Sequence, residues 1–312
     1  MLDQLLEQAG ELPPLPEIYI RVEELLASDA SSASDIGKVL QSDPALTARV
    51  LKLINSAFFG LSNEVTSIPQ AISLLGRDQL KQVLVGSVLS GVVKDFNLRD
   101  FPLRNFWQHC IKSAIIGRQL AMQNARIIDH EAFFTIGLLH DIGWLVIAKV
   151  NPGSFMRISE LALLENKDAL EVEKDTLGVT HVEVGVALLQ KWKMPELIIE
   201  CVEKHHYKDQ NGSYFVETNI ISLANQLSRF ELDEISVEVA FDAEDQESAM
   251  EKTLSGIANW EDSKCTSEQI AIACGLADEQ WFEVMDTLGM NDFGSANNED
   301  EDPHFRTSFQ RM

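Results

Sequence analysis

Ala132-Phe133-Phe134-Thr135-Ile136-Gly137-Leu138-Leu139-His140-Asp141-Ile142-Gly143-Trp144-Leu145-Val146-Ile147 sets an imidazole and a carboxylate side by side in an almost unbroken apolar run. A helix that is apolar on every side belongs in a protein core or a membrane. The stretch to Val150 approaches membrane-spanning length, but a His and an Asp at its centre make insertion costly. A buried helix over Asp129–Val150 is therefore expected. A charge buried there has to be paired or bound to a metal.

Working outward, the neighbouring segments repeat apolar residues at helical spacing. Helices are predicted over Arg104–Met122, Asn151–Asn166, Thr180–Trp192, Pro195–His206 and Glu217–Phe230. Toward the N-terminus the expected helices are Glu17–Ala27, Ala45–Phe58 behind Ser42-Asp43-Pro44, a helix from Ser67-Ile68-Pro69 to Gly76, and Gln79–Val93 capped by Asp78. Asn55-Ser56-Ala57-Phe58-Phe59-Gly60 has the form of a glycine C-cap with a tucked aromatic pair. Residues 231–262 suggest a loop flanking a helix near Gln246–Ile257. Ser267–Cys274 and Asp278–Leu288 are predicted as two short closing helices. No strand alternation is found and only three Tyr are present, so the expected fold is all-α. The expected organisation is an N-terminal helical bundle at 12–100, a larger helical domain at 101–290 and a disordered acidic tail at 291–312.

The 312 residues carry 49 Asp and Glu against 25 Lys and Arg, a formal charge of -24. No basic stripe is present, so neither nucleic acid nor an anionic membrane is an expected partner. Lys38, Arg49 and Lys52 fit the solvated faces of their helices better than an anion site. Cys110, Cys201, Cys265 and Cys274 form no CxxC pair and suggest small core residues in a reducing compartment. Asp3 and Glu7 replace the basic region of a secretory signal. A cytoplasmic protein is expected.

Five of the seven histidines (His109, His140, His181, His205 and His206) fall in predicted helices. His109 shares a stripe with Ser113, Ile116 and Leu120; His181 with Gly185, Leu188 and Trp192; His205 with Ile198, Cys201 and Val202. Small Ser113 and Gly185, one turn from a histidine, would let helices approach closely around a shared site. Each ring alone is best explained as a core histidine bonded to a backbone carbonyl. Five around one Asp point instead to nitrogen and oxygen ligands for a divalent metal.

The order His … His-Asp … His … His-His resembles the HD phosphohydrolase superfamily, and the segment from Leu12 to about Phe230 resembles its HDOD branch. The N-terminal text behind this is Leu12-Pro13-Pro14-Leu15-Pro16, Ser42-Asp43-Pro44-Ala45-Leu46-Thr47-Ala48-Arg49-Val50-Leu51-Lys52-Leu53-Ile54-Asn55-Ser56-Ala57 and Ile68-Pro69-Gln70-Ala71-Ile72-Ser73-Leu74-Leu75-Gly76. The later text is Phe106-Trp107-Gln108-His109, Gly137-Leu138-Leu139-His140-Asp141-Ile142-Gly143, Thr180-His181-Val182-Glu183-Val184-Gly185 and His205-His206. The resemblance implies an all-α fold, with 12–100 the N-terminal part of the module and 101–290 an HD-like domain. It also implies a bacterial signalling or regulatory role.

The chain departs from catalytic relatives in Ile221-Ser222-Leu223-Ala224-Asn225-Gln226-Leu227. The resemblance places a metal-ligating Asp where this chain has Asn225, and a neutral amide is a weaker ligand. Tyr207-Lys208-Asp209 replaces a Gly-Tyr-Pro signature, which speaks against an HD-GYP cyclic-dinucleotide phosphodiesterase. The leading expectation is a signalling module without catalysis that binds a protein partner or small signalling ligand. The alternative is a metal-dependent phosphohydrolase of a nucleotide or phosphodiester. In that alternative, His140 and Asp141 lead the catalytic candidates, and His109, His140, Asp141, His181, His205 and His206 hold one or two ions. A bound metal would be iron or manganese, suited to mixed imidazole and carboxylate donors; a centre without metal is the other outcome.

Overall fold

Short polar caps punctuate this chain into helices. A computed structural model describes residues 2, 5, 16–94, 98, 101–127, 129–207, 212–229 and 263–290. The N-terminal helices are α1 (Glu17–Ala27), α2 (Ala33–Leu40), α3 (Pro44–Ile54), α4 (Ile68–Leu75) and α5 (Arg77–Lys94). Then come α6 (Leu103–Met122), α7 (Ala132–Leu139), α8 (Gly143–Val150), α9 (Ser154–Glu165) and α10 (Ala169–Leu177). The order closes with α11 (His181–Lys191), α12 (Glu196–Lys204), α13 (Phe215–Leu227) and α14 (Ser267–Thr287). No strand occurs among the described residues, so the fold is all-α as expected.

Side-chain caps set several of the helix starts. Asp43 Oδ1 accepts from Leu46 N at 2.9 Å, with Pro44 at the first position of α3. Ser32, Thr180 and Thr266 each form a reciprocal capping box with the side chain three residues on. These bonds satisfy N–H groups that have no partner inside the helix.

Helix α6 is the axis of the larger part, and α7, α13 and α14 pack on it. Its residues from His109 through Gly117 are all buried, as are all of α7. The apolar span Ala132–Val150 is 89% buried, so the protein core accounts for its hydropathy. Helix α5 reaches from α1, α3 and α4 across to α7. At that junction Arg118 grips Glu131 through Nε (2.8 Å) and Nη2 (2.9 Å), while Gln79 Nε2 donates to Glu131 Oε1 at 2.8 Å. Phe58 is buried as expected and packs 4.9 Å from Phe134.

Several expectations need correction. Helix α3 ends at Ile54, before Phe58, because the Asn55 side chain leaves the helix to bond Val65 N (2.7 Å) and Val65 O (2.8 Å). Gly60 takes a left-handed φ of 58° in the following turn, so Asn55 is the C-cap and Gly60 is not. Asp129–Val150 is two helices, broken at the His140-Asp141 dyad. The two closing helices are one, α14, because Gly275 keeps helical backbone and nothing between Cys274 and Asp278 breaks the ladder. Helices α2 and α10 were not anticipated. Residues 12–15, the segment 231–262 with its helix near Gln246–Ile257, and the tail 291–312 lie outside the described residues.

Candidate metal centre

The break between α7 and α8 aims the dyad. His140 Nδ1 donates to Gly137 O at 2.8 Å, taking the carbonyl that an uninterrupted helix would bond to Asp141 N–H. The next turn tightens: Ile142 N bonds Leu139 O (3.0 Å) and Trp144 N bonds Asp141 O (2.9 Å). Two glycines flank the dyad. A Cβ on Gly137 would collide with the Ala114 backbone of α6, and one on Gly143 with His181 O of α11. These close approaches bring the helices carrying His109 and His181 against Asp141.

All four fully buried histidines aim Nε2 at that one carboxylate. On the Oδ2 side lie His109 at 3.2 Å and His140 at 3.1 Å. On the Oδ1 side lie His181 at 3.2 Å and His205 at 3.3 Å. His206 is half-buried, with Nε2 3.2 Å from His181 Nε2. The structure thus brings His109, His140, Asp141, His181, His205 and His206 together.

Each ring is fixed from behind. His205 Nδ1 donates to Val202 O at 2.6 Å, as His140 does to Gly137. His181 Nδ1 meets Glu173 Oε1 at 2.8 Å, and Glu173 Oε2 accepts the His181 backbone N–H at 2.6 Å. Trp144 stacks on the His181 ring, centroids 5.3 Å apart. His109 Nδ1 meets Ser228 Oγ at 2.9 Å, and Ser228 also accepts from Ser113 Oγ at 2.8 Å and donates to Asn225 O. A carbonyl can only accept, so His140 and His205 carry their proton on Nδ1. In the neutral ring this leaves a bare Nε2 lone pair facing Asp141.

Burial pushes the His109 and His205 rings down to about 4, against the pull of Asp141. Burial, with His205 and His181 nearby, also holds His206 well below its ordinary value. Burial would lower His181 too, but Glu173 and Asp141 outweigh it and push that ring up to about 10. Burial alone would raise Asp141; His140, His109 and His181 hold it well below the usual carboxylate range.

A cation fits this arrangement. Asp141 Oδ1 and His205 Nε2 are buried with no hydrogen-bond partner, yet face each other at 3.3 Å. Two acceptors at that distance repel unless a positive charge joins them. Two donor groups converge within 4.8 Å: Asp141, His181, His205 and His206, and His109, His140 and Asp141.

Asn225 is 1% exposed on α13. Its Oδ1 accepts from Arg229 Nη2 at 2.9 Å. The sequence reading missed Glu173, Ser228 and Arg229. A signal for Glu173 was present: it shares a helical stripe with Ala169 and Val172 behind the N-cap Asp168, eight residues before His181.

An all-helical shell closed on a buried His/Asp core defines the class of protein. The HDOD domain family matches residues 12–208, more than half of the chain, and the chain belongs to that family. The fold is similar to a candidate phosphohydrolase from Shewanella amazonensis SB2B, 27% identical, TM-score 0.72, covering 91% of this chain and 97% of that one. It is also similar to a candidate signal transduction protein from Marinobacter aquaeolei VT8, 26% identical, TM-score 0.65, covering 93% of this chain and 61% of that one. An uncharacterized protein of Treponema pallidum (strain Nichols) is 27% identical over 228 residues, 72% of this chain. The chain spans only 43% of that relative's length.

Proposed function

We propose that this chain is a regulatory HDOD module whose buried His/Asp centre holds a divalent metal and passes its state to a partner protein or small signalling ligand without hydrolysis. The observation that carries this reading is Asn225. Its neutral amide has its oxygen already taken by Arg229, and its backbone carbonyl accepts from Ser228, the partner of His109. It adds no negative charge to hold or polarise an ion.

Asp141, His181, His205 and His206 would hold the metal on one side, and His109 and His140 border the other. Iron or manganese suits this mixture of donors. When bound, such an ion supplies Lewis acidity and an acidified water. Glu173 and Trp144 orient His181, and Ser228 orients His109. The charge of -24 argues against nucleic acid and anionic membrane as the partner. Four buried, unpaired cysteines fit a reducing cytoplasm.

The competing reading, a phosphohydrolase, draws on the same converging ligands. Turnover of a generic phosphodiester such as bis(p-nitrophenyl) phosphate decides between them, run on metal-loaded wild type, Asn225→Asp and Asp141→Ala. Wild type is expected to match Asp141→Ala. Robust wild-type turnover that disappears in Asp141→Ala would overturn the regulatory reading.

A further inference from the structure

The two oxygens of Asp141 stand in unequal surroundings. On the Oδ2 side the His109 and His140 Nε2 atoms lie 3.2 and 3.1 Å from the oxygen and 3.0 Å from each other. Behind them Ser228 links His109 to the Asn225 backbone carbonyl, while the Asn225 side-chain oxygen accepts from the Arg229 guanidinium. On the Oδ1 side three imidazoles and the carboxylate converge, and two buried polar atoms without a hydrogen-bond partner, Asp141 Oδ1 and His205 Nε2, belong to this half.

Charge reinforces the asymmetry. Asp141 and Glu173 bring two negative charges to the centre, and Arg229, bonded to the Asn225 side chain, brings one positive charge nearby. One divalent ion leaves the neighbourhood with a single net positive charge. A second would add two more positive charges to a buried site where, among the described residues, Asp141 and Glu173 are the carboxylates in contact with these rings, which low-dielectric surroundings oppose.

From these observations we infer that the centre takes one divalent ion, seated on Asp141 Oδ1, His181, His205 and His206. The fixed Arg229 guanidinium supplies the second positive charge, and the His109/His140 half stays free of metal. This deepens the reading above and rests on it for the presence of an ion, but it does not depend on whether the protein turns over a substrate. Glu173 matters here because it anchors His181, whose Nε2 lies 3.2 Å from Asp141 Oδ1 and 3.2 Å from His206 Nε2.

The test is an anaerobic titration of the chelator-treated 312-residue chain with cobalt(II), followed by its visible absorption and by metal analysis after desalting. The expected end point is one equivalent per chain. His206→Ala, at a half-buried position where packing is spared, is expected to weaken binding beyond the roughly 10–100-fold lost with a supporting hydrogen bond. His109→Gln is expected to keep the end point at one. An end point of two, no binding at all, or loss of the ion in His109→Gln but not in His206→Ala would overturn the inference. The wild-type end point decides even if a variant fails to fold, which circular dichroism would report. Two ions without turnover would sink this inference and leave the regulatory reading standing; one ion with turnover would do the reverse.

Discussion

Glu173 holds His181 twice, through the ring Nδ1 at 2.8 Å and through the backbone N–H at 2.6 Å. The first bond fixes which ring nitrogen faces Asp141, and the second ties the start of α11 to α10. Glu173→Gln keeps the length and removes the charge. It is expected to weaken divalent-metal affinity by about 10–100-fold, measured by competition with a chelator of known affinity. Unchanged affinity would mean that Glu173 serves packing alone.

The pH dependence of the metal-free protein follows from the rings. His109 and His205 are held at about 4 when folded, below the unfolded value of 6.5. The unfolded chain therefore binds more protons between those values, and stability falls as the pH drops from about 6.5 to about 4. Each ring contributes a slope of about 1.4 kcal/mol per pH unit in that window. His181 has the opposite sign: its contribution is complete below 6.5 and is lost as the pH rises through about 10. Urea denaturation of the metal-free protein across pH 4–10 should show greatest stability near pH 6.5, where the two windows meet. A profile that is flat from 6.5 to 4 would refute the assignment.

Gly143 is expected to tolerate no side chain. The added Cβ would meet the His181 carbonyl and, at 2.8 Å, Gly185 N, and both are backbone atoms that cannot swing aside. Gly143→Ala should cost at least about 3 kcal/mol, at or beyond the upper end of ordinary overpacking. Gly275→Ala, with open space around it, should be neutral or mildly stabilising. Denaturant midpoints of the two variants make the comparison.

Lys52–Asp286 and Lys112–Asp278 both hold α14 among the described residues, and they should differ sharply in worth. Lys52–Asp286, at 2.8 Å, is exposed at both ends (56% and 53%) and is expected to contribute less than about 1 kcal/mol. Lys112–Asp278 joins α6 to α14 with the lysine only 7% exposed. Asp278→Ala would strand that buried ammonium, at a cost of about 3–5 kcal/mol. Equal effects of Lys52→Ala and Asp278→Ala on thermal unfolding would contradict this.

Much of this fold was legible where local chemistry acts alone. Ser42-Asp43-Pro44 opens α3 and Ser67-Ile68-Pro69 opens α4 because cap and proline effects need only the adjacent residues. The coming together of His109, His140, His181 and His205 was legible too, since apolar stripes mark inward faces. What escaped depends on tertiary partners. The break at His140 comes from a side chain competing for Gly137 O inside a run that is uniformly apolar, where no period signals a stop. Asn55 leaves α3 for Val65, ten residues away. The Asn225–Arg229 pair looks like an ordinary helix-surface neighbour until α13 is buried against α6.

The donors proposed for the ion come from the α7–α8 break, the start of α11 and the residues just past α12, segments far apart along the chain. An ion has nothing to grip until those segments have closed on one another. Such an ion would bind the assembled chain in preference to the unfolded one and would stabilise it by mass action. Metal would raise the share of chains that stay folded, so occupancy would be recorded as persistence rather than as shape.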